Sequence, residues 1–267
     1  MDNRLSMLAS LVSCRTLSDI GCDHALIDIA LIENNVCDRI IASDLRIGPL
    51  KAANKNITEH NLNNKIETRL SNGLDKYVPG ETESILISGM GGRLITSILK
   101  NGFKVAASAK ELILSPQSEI KDFESWLLSH GFEISKKEIC KESNKFYFGY
   151  LVHYVGGKVN AADADNTDTL VDTHNADKSC DSGLSGALAS LDFHYMLPAV
   201  PTDIYLEFLK KEEERYRYVR EIYLEKYEKV KAEYPGKNFD SDDPGFLPED
   251  VLQKKIEEIQ YEINRFK

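Results

Sequence analysis

Residues 1–155 repeat one pattern, in which a short apolar run is followed by a turn and then by an amphipathic stretch. This alternation is typical of a parallel sheet, because its strands are buried on both faces and its helices cover them. We therefore predict an α/β fold, a doubly wound parallel sheet, for this part of the chain. The predicted strands are 16–21, 39–44, 65–70, 84–88 and 111–115, and the predicted helices are 25–34, 49–60, 93–101 and 119–130.

Two more apolar runs, 133–140 and 147–154, come at the end of this domain and predict an antiparallel hairpin that closes the sheet. The composition then changes, because Asp, Asn, Ser, Thr, Ala and Gly dominate residues 156–190 and no periodicity remains. We interpret residues 156–200 as a flexible polar linker or insertion, which follows a domain formed by residues 1–155.

Apolar residues spaced three and four apart return in residues 203–232 and again in 249–266. Pro235 and Gly236 interrupt the helical pattern between these two stretches, and a loop is expected over 238–248. Two amphipathic helices joined by a loop pack most simply as a hairpin. Residues 201–267 are therefore predicted to form a C-terminal α-helical coiled-coil hairpin.

The charge balance and the cysteines restrict the function. A formal net charge of −10 argues against a protein that binds nucleic acid over its whole surface. Five scattered cysteines suggest neither a disulfide framework nor a CxxC metal site, so no metal ion is expected. Because the sequence shows neither a membrane-length apolar run nor a signal-peptide layout, we expect a cytoplasmic protein.

The turns that follow the strands are the first candidates for a binding site, because ligands of open parallel sheets bind there. The first turn reads Asp19-Ile20-Gly21-Cys22-Asp23-His24-Ala25, and Gly21 allows a ligand to approach its backbone. Asp23 and His24 stand where a GxGxxG dinucleotide fingerprint needs small residues, which disfavours a nicotinamide-dependent oxidoreductase. Cys22 is interpreted as a bystander rather than a nucleophile, since no His pairs with it nearby.

Three later turns carry related signals. Asp44 lies about 20 residues beyond the glycine turn, where a carboxylate can accept hydrogen bonds from the ribose hydroxyls of a nucleoside cofactor. Asn72 and Gly73 offer a polar group for the exocyclic amine of adenine and a tight turn. The segment 88–93, Ser-Gly-Met-Gly-Gly-Arg, implies close approach of a ligand to the backbone. Each turn alone is typical of a helix cap, but four on one sheet edge indicate a nucleoside-type cofactor site.

Taken together, these motifs resemble the TrmK family of bacterial tRNA (adenine-N1)-methyltransferases, which modify adenosine 22. The resemblance covers most of the chain and implies the class I S-adenosyl-L-methionine methyltransferase fold, with S-adenosyl-L-methionine as the cofactor and tRNA as the partner. It rests on Arg4-Leu5, the 19–25 turn, Asp44 with Gly48-Pro49, Asn72-Gly73-Leu74, Gly89-Met90-Gly91-Gly92, and Leu112-Ile113-Leu114 followed by Pro116-Gln117.

The resemblance also implies site residues. Leu45 is expected beside the adenine ring, and the backbone of the 89–92 turn is expected to grip the target base. Asn72 departs from the family, which often has aspartate there. The expected cofactor-binding residues are Gly21, Cys22, Asp23, Asp44, Leu45, Asn72, Gly73, Gly89, Met90 and Gly91.

Methylation of adenine N1 needs little acid or base chemistry, because neutral N1 is a nucleophile and positioning supplies most of the rate. The product is positively charged, so a carboxylate near the base would stabilise the developing charge. We assign that catalytic role to Asp23, and a role in orienting the base or the cofactor carboxylate to His24.

The C-terminal helices allow two interpretations. Their lysines and arginines alternate with tyrosines, which suits a tRNA backbone, but glutamates share the same helices, as in any solvated coiled coil. The second interpretation leaves open a non-catalytic nucleotide-binding adaptor that presents the hairpin to a partner. The less favoured oxidoreductase also stays open as an alternative function. The basic residues are Lys210, Lys211, Arg215, Arg217, Arg220, Lys226, Lys229, Lys231, Lys254, Lys255, Arg265 and Lys267.

Overall fold

A computed structural model describes residues 3–156, 203–233 and 249–265. The chain divides into two compact units, one containing the first of these ranges and the other containing the two helical ranges. Nearly all of the predicted linker and the whole predicted 238–248 loop lie outside the described residues.

The first unit is built on one seven-stranded sheet with the order β3-β2-β1-β4-β5-β7-β6. Strands β1 to β5 are parallel, while β7 is antiparallel to both β5 and β6. The predicted doubly wound sheet and its closing hairpin are therefore confirmed. The strands are β1 (Thr16–Ile20), β2 (Arg39–Asp44), β3 (Ile66–Leu70), β4 (Ser84–Met90), β5 (Glu111–Pro116), β6 (Phe132–Glu142) and β7 (Lys145–Tyr154).

Six helices accompany this sheet in the described part of the first unit. Four correspond to predicted helices, although α3 begins two residues before Pro49, which a first helical turn tolerates. The two others, α1 and α5, were not predicted from the sequence. The helices are α1 (Asn3–Leu11), α2 (Leu26–Glu33), α3 (Ile47–Glu59), α4 (Gly92–Asn101), α5 (Phe103–Ala106) and α6 (Ile120–Ser129).

Strand β4 is longer than predicted. Its predicted end was Ser88, with Gly89 and Met90 in the following turn, but both residues belong to the strand. The register against β5 shifts between Ser88 and Met90, and Gly89 has a φ of +77°, which is the geometry of a bulge. The bulge lets the strand continue through a glycine that resembles a turn residue in the sequence.

The core lies against the central strands. Leu17, Ile40, Leu86 and Ile113 come from four neighbouring strands and are almost completely buried. Full burial of one such side chain contributes roughly 1.5–3 kcal/mol. Gly149 of β7 allows α1 to pack closely, because a Cβ atom there would lie 3.0 Å from Leu11 Cδ1 and 3.1 Å from Met7 Cε.

The second unit contains α7 (Asp203–Glu233) and α8 (Glu249–Arg265), which confirms a helical C-terminal part. The two helices contact each other, and the side-chain amide of Gln260 donates a hydrogen bond to Glu213 (3.0 Å). Their coiled-coil hairpin arrangement stays a prediction. Within the described ranges, none of the helices has the length and apolar character required to span a bilayer.

Candidate functional site

A cavity of about 600 Å³ opens where β1, β2, β3 and β4 end, a volume typical of small-molecule sites. Residues from α1 and from the loop after β5 complete its lining. Of the eleven predicted site residues, Gly91 alone is not part of this lining. The ten residues that line the cavity are Gly21, Cys22, Asp23, His24, Asp44, Leu45, Asn72, Gly73, Gly89 and Met90.

The turn after β1 is held by its backbone. The N–H groups of Gly21 and Cys22 both donate to the carbonyl of Ser43 (2.8 and 2.9 Å), which fastens the turn to β2. Gly21 has a φ of +84°, while Asp23 and Ala25 adopt left-handed conformations with φ of +49° and +56°. Left-handed residues other than glycine cost about 1–2 kcal/mol each, so the fold holds this turn against strain.

Asp23 and His24 lie at the cavity rim as a consequence of this turn. Their side chains are 66% and 54% exposed, and Asp23 Oδ2 is 3.7 Å from His24 Nε2. The carbonyl of His24 accepts a hydrogen bond from Asn56 (2.9 Å), which anchors the turn to α3. Both predicted catalytic groups are thus accessible to a substrate that enters the cavity.

Asp44 offers a carboxylate at the end of β2. The residue is 7% exposed, and its Oδ1 accepts the backbone N–H of Arg46 (2.8 Å). No described residue donates to Oδ2, so this oxygen is available to a ligand hydroxyl. Leu45 is 64% exposed beside it and provides an apolar surface.

The turn after β3 keeps Asn72 exposed and Gly73 close to α4. The hydroxyl of Ser71 donates to the carbonyl of Gly73 (2.8 Å) and accepts the N–H of Lys76 (3.3 Å), which fixes the turn. Gly73 has a φ of +53°, and a Cβ atom there would lie 3.1 Å from the side chain of Ile98. The turn therefore requires glycine for its conformation and for close packing.

Gly91 faces a different neighbour. A Cβ atom at this position would lie 2.8 Å from Ser118 Oγ and 3.1 Å from Glu119 Oε2. The N–H of Gly92 donates to the carbonyl of Ser118 (2.9 Å). Gly91 thus allows α4 to begin against the loop after β5, which explains its absence from the cavity lining.

The cavity floor contains a carboxyl group to which the sequence analysis gave no role. Asp19, at 3% exposure, lines the cavity and lies beside Asp28 of α2, which is completely buried. Burial raises the pKa of Asp19 to about 7, with Asp44 contributing, and burial next to Asp19 raises the pKa of Asp28 well above its usual value. Burial and mutual repulsion therefore disfavour ionisation of both carboxyl groups at neutral pH.

Arg4 and Gln117 also line the cavity but were not among the predicted site residues, although the motifs Arg4-Leu5 and Pro116-Gln117 contain them. Both residues are distant in sequence from the glycine turns, so their place in the cavity lining could not be predicted. Cys22 is a buried thiol whose pKa is raised by burial and by neighbouring carboxylates, which disfavours the thiolate that a nucleophile needs. The described residues contain no cluster of three His, Cys, Asp or Glu side chains suited to a metal ion.

The chain is similar in sequence to known methyltransferases. The family described as "Methyltransferase domain" matches residues 1–148. The tRNA (adenine(22)-N(1))-methyltransferase of Bacillus subtilis is 30% identical over 148 residues, which are 55% of this chain and 62% of that protein. The sequence match thus spans less than two thirds of that relative.

Solved structures extend the similarity over nearly the full length. Sp1610 of Streptococcus pneumoniae, a candidate tRNA (m1A22) methyltransferase, is 29% identical with a TM-score of 0.69, covering 98% of this chain and 99% of its own. Its complex with S-adenosyl-L-methionine gives 28% identity, a TM-score of 0.67 and the same coverage.

Proposed function

Because the chain belongs to the methyltransferase-domain family, we propose that it transfers a methyl group from S-adenosyl-L-methionine to N1 of an adenine in tRNA, with adenosine 22 as the target. The similarities also confirm the resemblance to the TrmK family. The observation that supports the proposal best is the cavity at the sheet edge, which brings an available carboxylate oxygen and three left-handed glycines together.

The residues present fit the methyl donor. Asp44 would accept hydrogen bonds from the ribose hydroxyls through its available Oδ2. Leu45 and Asn72 would contact the adenine, the first by its apolar surface and the second by its amide. Gly21 is required at this turn, because its φ is +84° and a Cβ atom there would collide with Met90 Cε.

The donor supplies an activated methyl group on a sulfonium centre, and the chain positions the acceptor. Adenine N1 uses its lone pair to form the new bond to the methyl carbon, while the electrons of the carbon–sulfur bond return to sulfur. The adenine becomes cationic as this happens. Asp23, exposed at the rim, would stabilise that charge, and His24 next to it would orient the base.

In the described part of the helical unit, five cationic side chains are paired with glutamates on their own helix. Arg217 donates to Glu213 (2.8 Å), and Lys255 donates to Glu258 (2.8 Å). Such pairs contribute little to stability and separate easily. We infer that the unit contributes to tRNA binding through cations that exchange these glutamates for phosphates, which predicts a strong dependence on salt.

The test of this function is methyl transfer from labelled S-adenosylmethionine to unmodified tRNA transcripts. The matched control is a transcript in which adenosine 22 is replaced by guanosine. Incorporation that disappears with the replacement supports the enzyme, substrate and position together. Donor binding without incorporation would move the substrate elsewhere, and absence of both would favour the adaptor alternative.

A further inference from the structure

Arg93 lies in the first turn of α4, next to the cavity but outside its lining. The residue before it, Gly92, donates its N–H to the carbonyl of Ser118 (2.9 Å), and the residue after it, Leu94, lines the cavity. Arg93 itself is exposed. It ends the 88–93 segment but was not among the predicted site residues. The anchored start of α4 thus holds an exposed arginine at the cavity rim.

The arginines of the first unit differ in whether a carboxylate engages them. Residues 3–156 contain six arginines, and four of them form ion pairs. Arg4, which lines the cavity, and Arg93 form no ion pair with any residue that the structure describes. An arginine without a carboxylate partner keeps its charge and its donors for an anionic ligand. The four pairs are Arg15 with Asp38, Arg39 with Glu67, Arg46 with Asp44, and Arg69 with both Glu67 and Glu81.

A second exposed cation lies at the tip of the hairpin formed by β6 and β7. Ser143 and Asn144 form its two-residue turn, with φ of +47° and +65°, both left-handed as in a type I′ turn. Lys145 follows this turn and pairs with Glu142 in the register of the two strands. Its side chain is exposed and forms no ion pair within the described part of the chain. The tip therefore presents Lys145 from a well-defined backbone.

The hairpin extends past the edge of the sheet at which the cavity opens. The last register pair between β5 and β7 joins Leu114 to Tyr150. From that pair, β5 continues only two residues to Pro116, whereas β7 reaches back five residues to Lys145. The hairpin is thus three residues, or roughly 10 Å, longer than β5 at this edge. Lys145 is therefore placed above the edge from which a substrate enters.

Both cations lie on the β5 side of the cavity. β4 leads directly into α4, and β7 lies two strands from β4, which is about 10 Å across the sheet. Two carboxylates close to them in sequence or across the turn have other donors. Glu142 Oε2 accepts the backbone N–H of Arg4 (3.0 Å), and Glu119 accepts the hydroxyl of Ser118. The positive charges of Arg93 and Lys145 consequently remain available at the cavity mouth.

We propose that Arg93 and Lys145 bind phosphates of the tRNA backbone beside the target nucleotide. A strand whose adenine is flipped into the cavity passes along this edge of the sheet. Arg93 would bind a phosphate at the rim, where its planar guanidinium can donate two hydrogen bonds, and Lys145 would bind one farther along the strand. Such contacts position the RNA without reading its sequence. The inference rests on the proposed function, which supplies the RNA substrate.

The test is binding of an unmodified tRNA transcript to the full chain over a series of salt concentrations. We expect the double variant Arg93→Gln with Lys145→Gln to bind tRNA about 10- to 100-fold more weakly, because two charged contacts are lost. The slope of log K against log salt concentration should fall in magnitude by about 2. Calorimetric binding of S-adenosylhomocysteine should stay at the wild-type level, which also shows that the variant is folded.

The matched control is Lys104→Gln, which removes an exposed lysine of α5, in the segment that leads to the start of β5. It should leave the binding of both tRNA and S-adenosylhomocysteine unchanged, because this segment lies at the opposite end of β5 from the cavity.

Three results would overturn the inference while the proposed function stands. Equal weakening of tRNA binding by Lys104→Gln would mean that net charge, rather than these two positions, determines the affinity. Parallel losses of tRNA and S-adenosylhomocysteine binding in the double variant would mean that the two residues shape the cavity. Unchanged tRNA binding in the double variant would contradict the phosphate contacts directly. Absence of both tRNA binding and methyl transfer in the wild type would instead contradict the proposed function itself.

Discussion

At the scale of single residues, the pair of Asp19 and Asp28 depends on contacts that local sequence does not reveal. Both carboxyl oxygens of Asp28 lack a hydrogen-bond partner among the described residues, so protonation of Asp28 avoids a buried, unpaired charge. The titratable groups facing the pair are Asp44 and Tyr77 beside Asp19, and Cys37 beside Asp28, with Cys22 near both. None of these four is cationic at neutral pH.

The pair makes stability fall as pH rises. A carboxyl group whose pKa is raised in the folded state binds its proton more tightly there than in the unfolded chain. The contribution of the pair to the free energy of unfolding is therefore complete below about pH 4 and is lost as the pH rises to about 7. Each pKa unit is worth about 1.4 kcal/mol. In Asp28→Asn, a neutral amide replaces a carboxyl group that resists ionisation in the folded state, so we expect a smaller decline in the free energy of unfolding between pH 5 and pH 8. Urea denaturation of the wild type and of the variant at pH 5 and pH 8 measures this decline. Equal declines in the two proteins would mean that the pair does not cause the pH dependence.

Asp23 carries the second residue-scale prediction. Because its carboxylate is at the rim rather than in the floor, Asp23→Asn should lower turnover roughly 10- to 100-fold through lost charge stabilisation and leave donor affinity nearly unchanged. Single-turnover methylation and calorimetry measure the two quantities separately. An equally large loss of donor affinity would instead place Asp23 among the donor-binding residues.

At the scale of elements, the strands could be predicted within two residues wherever both faces are buried, because continuous apolar runs mark such strands clearly. The prediction was wrong for the end of β4, where Gly89 continues the strand as a bulge. It also missed α1, whose contribution to the core consists of one cluster, Met7, Leu8 and Leu11.

The buried ion pair between α6 and β6 gives an element-scale prediction. Lys137 Nζ lies 2.8 Å from Glu124 Oε1, which also accepts the hydroxyl of Tyr150 (2.7 Å), and both charged side chains are almost fully buried. Lys137→Met should destabilise the protein by about 3–5 kcal/mol, because it leaves a buried carboxylate without its cation.

The control for this ion pair is the double variant Lys137→Met with Glu124→Leu. It removes both charges, so we expect it to recover most of the lost free energy of unfolding. Chemical denaturation measures the free energy of unfolding of the wild type and of both variants. A double variant no more stable than the single one would mean that packing, rather than the unpaired charge, determines the effect.

At the scale of the whole molecule, the fold class and the edge of the sheet that binds the ligand could be predicted because both follow from the order of strands and turns. Ten of the eleven predicted positions line one cavity, while the functional roles given to them remain predictions. Side-chain neighbours such as Asp28 and Gln117 could not be predicted, since their positions depend on how distant segments pack.

Ligand-linked stability is the prediction at this scale. S-adenosylhomocysteine at about 100 times its dissociation constant should raise the free energy of unfolding by about 2.7 kcal/mol, because it binds only the folded state. Thermal unfolding with and without the ligand measures the effect, and NADH at the same concentration is the control. Stabilisation by NADH instead would revive the oxidoreductase alternative.

The cavity lining comes from both halves of the sheet, with β2 and β3 on one side and α1 on the other. α1 is in turn fastened to β6 at the far edge of the sheet. A ligand that contacts both ends therefore links segments from the two halves of the sheet. Slow amide exchange should consequently spread on binding from the central strands to both edges at once, so that the bound domain opens as one cooperative unit.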